Sequence, residues 1–163
     1  MDVIKFIEGN KLVDESVADI VYDLYGKNDD RVLIIGGGKA AITVSDIILQ
    51  NPNQKIVGIL DDNPDFHNKN IFGFEILGSV SLIDKLWEED YFDSVIISFS
   101  GNIYARKRIF EEIHSKGIPF TNAIDKSVQI HKNVKIGVGN VIFGNCRVGV
   151  CATIGDNNVI SAY

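Results

Sequence analysis

Aliphatic residues recur at every sixth position through the last forty residues of the chain: Ile124, Ile130, Ile136, Ile142, Val148, Ile154 and Ile160. Four places after each of the first six stand Val128, Val134, Asn140, Cys146, Ala152 and Asn158, all small or medium. Gly137, Gly149 and Gly155 follow directly on three of the aliphatics. Simple strand alternation also puts residues six apart on one face, but here the intervening even positions turn polar or small over the whole stretch. The pattern predicts a left-handed parallel β-helix. Six residues make one flat face and a corner, three such units close a triangular coil, and the aliphatic fills the narrow interior. Forty residues make slightly more than two coils. The repeat therefore reads as part of a longer solenoid, or as a coil end covered by a partner, since an open end exposes apolar cross-section and unpaired strand edges.

Upstream the period changes. Residues 1–30 alternate over Val3–Glu8, turn at Gly9-Asn10, and continue as a helix with Val17, Ile20, Val21 and Leu24 on one face, stopped by Gly26; Asn28–Asp30 reads as a loop. This piece is expected to be an added strand-and-helix layer. From Arg31 to Ala123 short apolar runs alternate with amphipathic stretches. Arg31–Gly36, Lys55–Leu60 and Val95–Ser100 carry the continuous apolar character of parallel strands buried on both faces, and Phe72–Gly78 reads as a further short strand. Between them fall helices over 40–49, with Ile42, Ile47 and Ile48 as apolar contacts; near Leu82–Trp87; and over 103–116, with Ile109, Phe110 and Ile113 inward. The fold class is thus α/β: a small Rossmann-like parallel sheet over 31–123, preceded by the extension 1–30 and followed by the β-helix of 124–163.

Chemistry is sought at the strand ends, because open parallel sheets bind ligands outside their carboxyl edge. The first strand runs into Gly36, Gly37, Gly38 and Lys39 and then a helix, the arrangement that aims backbone N–H groups and a positive helix end at an anion. Gly36-x-Gly38-x-x-Ala41 satisfies a dinucleotide-type spacing, which by itself is a weak signal. Asp61 and Asp62 end the second strand, where a ribose or base would lie, and Ser98, Ser100 and Asn102 follow the strand at 95. Three tips converging on one edge make a stronger case for a nucleotide-type ligand than any one of them.

Composition narrows the classes. A net charge of −6 with no basic run argues against nonspecific nucleic-acid binding. The sequence shows neither an apolar run of membrane-spanning length nor a basic, apolar leader at Met1-Asp2-Val3, so a cytoplasmic protein that does not enter the membrane is expected. Cys146 and Cys151 are five apart and have no companion histidine; Cys146 falls on an inward small position and Cys151 nearer a corner, so both read as structural and no metal site is expected. The three histidines, His67, His114 and His131, read as surface residues. No Tyr/Lys or His/Asp pair stands at a strand tip, which disfavours an oxidoreductase.

The order of parts resembles a known group. A buried strand with a glycine turn, then Val57–Pro64, then Phe72–Gly78, then Val95–Ser98, then hexapeptide repeats, is similar to the nucleotide-sugar N-acetyltransferases of the bacterial hexapeptide-repeat sugar acyltransferases. That group includes the bacillosamine-pathway enzyme and the sialic-acid O-acetyltransferase-like proteins. The resemblance implies an N-terminal domain holding a UDP-sugar, a β-helix forming a homotrimer, and acetyl-CoA as co-substrate between neighbouring β-helices. It also implies a histidine general base in the β-helix, in the unit immediately beyond Ile160–Tyr163, so no catalytic residue is expected within these residues. Two departures stand out. Lys39-Ala40-Ala41 replaces the group's Gly-His-Gly continuation, and Ser100-Gly101-Asn102 with Arg106 replaces a Gly-Asp-Asn followed by arginine. By this resemblance Arg106 joins the expected nucleotide-sugar site, either meeting a phosphate or standing in a solvated first turn. The implied function is acetylation of a UDP-amino sugar in surface-glycan biosynthesis, with the chain providing the substrate domain and first coils and inactive alone. The alternatives are a non-catalytic module that binds nucleotide and trimerises, or kinship with the cofactor-binding domain of sugar-nucleotide dehydratases, against which the repeats speak.

Overall fold

Apolar residues on both faces of the runs near 32, 56 and 95 build a sheet that must be covered on both sides, and the computed structural model, which describes residues 29–161, shows how. The strand and helix expected over 1–28 lie outside the described residues. Strands β1 (Asp30–Ile35), β2 (Gln54–Leu60), β3 (Asn70–Ile71), β4 (Phe74–Gly78) and β5 (Ser94–Ile97) lie in the order β3-β4-β2-β1-β5. All pairs are parallel except β3 with β4. Phe120 extends the sheet by a parallel bridge to Val95.

Two sequence expectations are corrected within the sheet. Asp30, assigned to a loop, begins β1: its N–H donates to Asn53 O. Of Phe72–Gly78, read as one strand, only Phe74–Gly78 is strand, the second arm of a hairpin whose two-residue turn is Phe72 at φ 51 and Gly73 at φ 88, with Ile71 opposite Phe74. Positive φ at both central residues is the turn whose twist matches paired strands.

Strand alternation sorts the core into two layers. Val32, Ile34, Ile56, Ile59 and Ile96 face helix α1 (Lys39–Leu49), while Leu33, Ile35, Leu60, Val95 and Ile97 face helices α2 (Ile83–Glu88) and α3 (Ile103–Ser115). Helix α1 buries Ala41, Val44, Ser45 and Ile48, the i, i+3, i+4, i+7 stripe, together with Ile47. Ile42, expected as a core contact, is 45% exposed because it stands beside that stripe.

Beyond the sheet the six-residue units form the two-residue strands β6 (Ala123–Ile124) to β12 (Val159–Ile160), one strand per unit. Each stacks in parallel on the unit three later: Ile124 on Ile142 on Ile160, Ile130 on Val148, and Ile136 on Ile154. These aliphatics, with Cys146 and Val128, fill the interior of the left-handed β-helix. The left-handed backbone recurs with the same period at the corners, Asn133, Gly139, Asn145, Cys151 and Asn157, all with φ between 57 and 72. Asn is the ordinary non-glycine occupant of that region, since its short amide tolerates it. A second period, of eighteen, is written in carboxamides: Asn122 Oδ1 accepts from Asn140 N and Asn140 Oδ1 from Asn158 N, both at 2.8 Å.

One face of the coil is apolar outside as well as inside. Ala123 and Val141 are buried in the same cluster as α1 and Val32, with Phe143 and Val159 at its margin. Gln50 at the end of α1 closes this seam, donating to Asp125 Oδ2 at 3.0 Å and accepting from Lys126 N at 2.9 Å. The β-helix thereby packs against α1, while its Val138 joins the opposite layer with Ile109, Ile113 and Phe120.

Candidate functional site

The chain goes from β1 outward through β2 to β4 and then returns to place β5 on the other side of β1. The carboxyl ends of β1 and β5 therefore flank the topological switch point, where helices leave to opposite faces and where open α/β sheets bind their ligands. Gly36–Lys39 follows β1 at this point and Ser98–Asn102 follows β5.

The turn after β1 is built from glycine for steric reasons. Gly36 has φ +101, and a Cβ there would stand 2.7 Å from the Phe99 ring and 2.8 Å from Ser98 Oγ. A Cβ on Gly37 would stand 2.8 Å from Ile76 Cδ1. Gly38 has open space around it and precedes α1 without a side-chain cap; Ala41 N–H returns to Gly38 O at 2.9 Å, so no side chain of the cap occupies the helix start. Lys39 follows, exposed.

Three side chains lock this turn. Asp61 Oδ2 accepts from Gly37 N at 2.6 Å and Oδ1 from Asn63 N at 2.7 Å, tying the end of β2 to the turn. Ser98, buried, donates its hydroxyl to Gly36 O at 2.8 Å from beneath. His67 reaches Asp61 O with Nε2 at 2.7 Å and is half-buried. Sequence reasoning set His67 aside as a surface residue. The loop carrying it folds back because Asn68 N donates to Ile76 O and Ile76 N to Lys69 O, a return path without a local sequence signal.

The remaining expected residues separate. Asp62 points to the next turn, accepting from Ser79 Oγ at 2.7 Å and Val80 N at 2.9 Å. Ser100 is exposed in the loop after β5, and Asn102 caps α3 by accepting from Ala105 N at 3.0 Å. Arg106 is neither at the rim nor solvated: it is 3% exposed beneath the loop, and its guanidinium is committed to backbone carbonyls. Its helix position, one turn after Asn102, turns it inward, while Lys107 and Arg108 beside it are exposed. Burial lowers its pKa to about 10, so it remains a cation at neutral pH.

Residues 31–113, just over half of the chain, match the family model described as the PglD N-terminal domain. The chain belongs to this family. The match spans β1 to α3, so every tip of the rim lies within the PglD-type segment. Among solved structures, perosamine N-acetyltransferase from Caulobacter crescentus, in complex with CoA and GDP-perosamine, superposes with a TM-score of 0.71 at 23% identity. The overlap covers 81% of this chain and 60% of that one. The acetyltransferase domain of PglB from Neisseria gonorrhoeae FA1090, in complex with acetyl coenzyme A, gives 0.70 at 18% identity, covering 82% and 62%. At these identities the likeness is one of fold, and the PglD-type chain spans about three-fifths of the length of these proteins. No curated protein sequence matches it.

Of the histidines, His131 is the one in the coil. Its Nε2 accepts from Arg147 Nε at 2.8 Å, which occupies the lone pair a general base would need. No described helix is long and apolar enough to cross a membrane.

Proposed function

We propose that this chain belongs to a nucleotide-sugar N-acetyltransferase and supplies its sugar-nucleotide site, with UDP-amino sugar as acceptor and acetyl-CoA as co-substrate. The observation that carries the reading is the rim at the switch point: a glycine turn locked from one side by Asp61 and from below by Ser98, opening on an uncapped helix start. The N–H groups of Gly36 and Gly37 are engaged by Leu60 O and Asp61 Oδ2, so a diphosphate would be received through the N–H groups of Gly38 and the start of α1, with no cationic clamp required. Gly36, Gly37, Gly38 and Lys39 take the diphosphate side, Asp61 the ribose or base side, and Ser100 and Asn102 the side of β5. Ser98 supports the turn without touching ligand, and Asp62 shapes the neighbouring loop.

The division of labour follows 31–123 for the nucleotide sugar and 124–163 for the β-helix. Acetyl transfer from the thioester to the sugar amine requires a base within hydrogen-bond reach of that amine. His131 is held by Arg147, so the transfer chemistry belongs to coils beyond those described here. This accords with relatives of greater length. Assembly as a homotrimer through the β-helix places acetyl-CoA between neighbouring coils, in the cytoplasm, for surface-glycan synthesis.

Thermal unfolding and titration calorimetry with UDP, a UDP-amino sugar and GDP test this. Binding to the folded state at a hundred times Kd adds about 2.7 kcal/mol of stability, so a rise in Tm with uridine nucleotides is expected. A rise with GDP instead would reassign the base, and no heat and no shift with any of the three would remove the reading.

A further inference from the structure

Arg106 is a buried cation that faces no carboxylate among its hydrogen-bond partners; it holds four carbonyl oxygens. Nη1 donates to Ile97 O at 2.7 Å and Phe99 O at 2.8 Å, the two carbonyls that bracket Ser98. Nη2 donates to Gly139 O at 3.0 Å and Nε to Asn157 O at 3.2 Å. Gly139 and Asn157 are eighteen residues apart, the same corner in two successive coils, and both are in the left-handed conformation. Gly139 is also the corner that closes on Phe110 and Phe120: a Cβ there would stand 3.1 and 3.3 Å from their rings. A continuous path therefore runs from Gly36 O through the Ser98 hydroxyl to the end of β5, through one guanidinium, and into two stacked coils.

Only a planar fork of N–H groups can hold carbonyls diverging to both sides of its plane edge; an ammonium has three donors at one point. Burying a cation is unfavourable unless its donors are placed, and four of the five guanidinium N–H groups are placed here on backbone carbonyls. We infer that Arg106 is a positioning residue that registers the nucleotide-sugar rim against the β-helix, holding the tip of β5 and two consecutive coils in one frame. The inference rests on the proposed rim for its functional meaning. It adds that, beside the apolar α1 seam, this side chain fixes how the rim stands relative to the coil.

Two measurements on the full chain decide it. UDP affinity is compared among wild type, Arg106→Met, Arg106→Lys and Ile136→Ala, the last losing stability inside the coil away from the rim. Arg106→Met is expected to weaken UDP by about tenfold, the loss of one or two charge-assisted hydrogen bonds' worth of order, with partial rescue in Arg106→Lys and wild-type affinity in Ile136→Ala. Amide hydrogen exchange without ligand is read at Ser98, whose N–H donates to Ile35 O, and in the coil at Asn140, next to the Gly139 corner, and Asn157, the corner above it. Arg106→Met should accelerate all three sites together, and Ile136→Ala those of the coil alone. Acceleration of the coil sites with Ser98 and UDP affinity unchanged would overturn the inference. If wild type binds no nucleotide, the proposed function falls and the exchange comparison still decides whether Arg106 couples the two parts. If Arg106→Met does not fold, Arg106→Lys carries both comparisons, since it can satisfy at most three of the four carbonyls.

Discussion

Gly36 stands under two constraints that only a glycine can satisfy. Its φ of +101 is outside the range L side chains adopt comfortably, and the space where a Cβ would go is taken by Phe99 and Ser98. Gly36→Ala is expected to cost about 1–3 kcal/mol, read as a lower urea midpoint, and to abolish UDP binding in whatever fraction stays folded. At the opposite edge of the sheet, Asp30 is buried and accepts from Ser94 Oγ and Gln54 Nε2. Burial raises its pKa above 3.8, and the hydrogen bonds from Ser94 and Gln54 offset this only in part. The unfolded chain thus gives up this proton first, so the contribution of Asp30 to stability is greatest below the unfolded pKa and declines as pH rises through the folded one. Urea midpoints measured from about pH 4 to about pH 7 should fall for wild type relative to Asp30→Asn, and parallel curves would contradict this.

Among the elements, the coil is the one most fully written in local pattern. Its inward aliphatics, its small positions and its period are all visible because a β-helix repeats the same environment every six residues. The sequence also carried a signal for how the coil docks. The residues preceding the inward aliphatic are Gln129, Lys135, Arg147 and Thr153 on two faces, but Ala123, Val141 and Val159 on the third, the face packed on α1. Val141→Ala should therefore cost about 1–3 kcal/mol despite pointing out of the coil, whereas Thr153→Ala should change stability by less than about 0.5 kcal/mol; chemical denaturation distinguishes them. What stayed illegible was non-local. The inward turn of Arg106 depends on carbonyls thirty-three and fifty-one residues away, presented by corners whose orientation exists only once the coils are wound. The hairpin at Phe72-Gly73 was hidden because a bulky aromatic occupies a turn position with φ 51, where Asn or Asp is the usual marker.

At the scale of the whole molecule, sheet and coil share one apolar layer and one cationic clasp, so they are expected to melt as a unit. Calorimetry should give a single transition, and separate transitions for the two parts would argue that the α1 seam is weaker than its burial suggests. The carboxamide ladder of Asn122, Asn140 and Asn158 carries a rule about length. Duplicating residues 141–158 in frame adds one full storey and returns each amide to the position above its predecessor. A six-residue duplication instead rotates the upper storeys by a third of a revolution, swinging a polar wall toward helix α1. This architecture can be extended only in whole storeys.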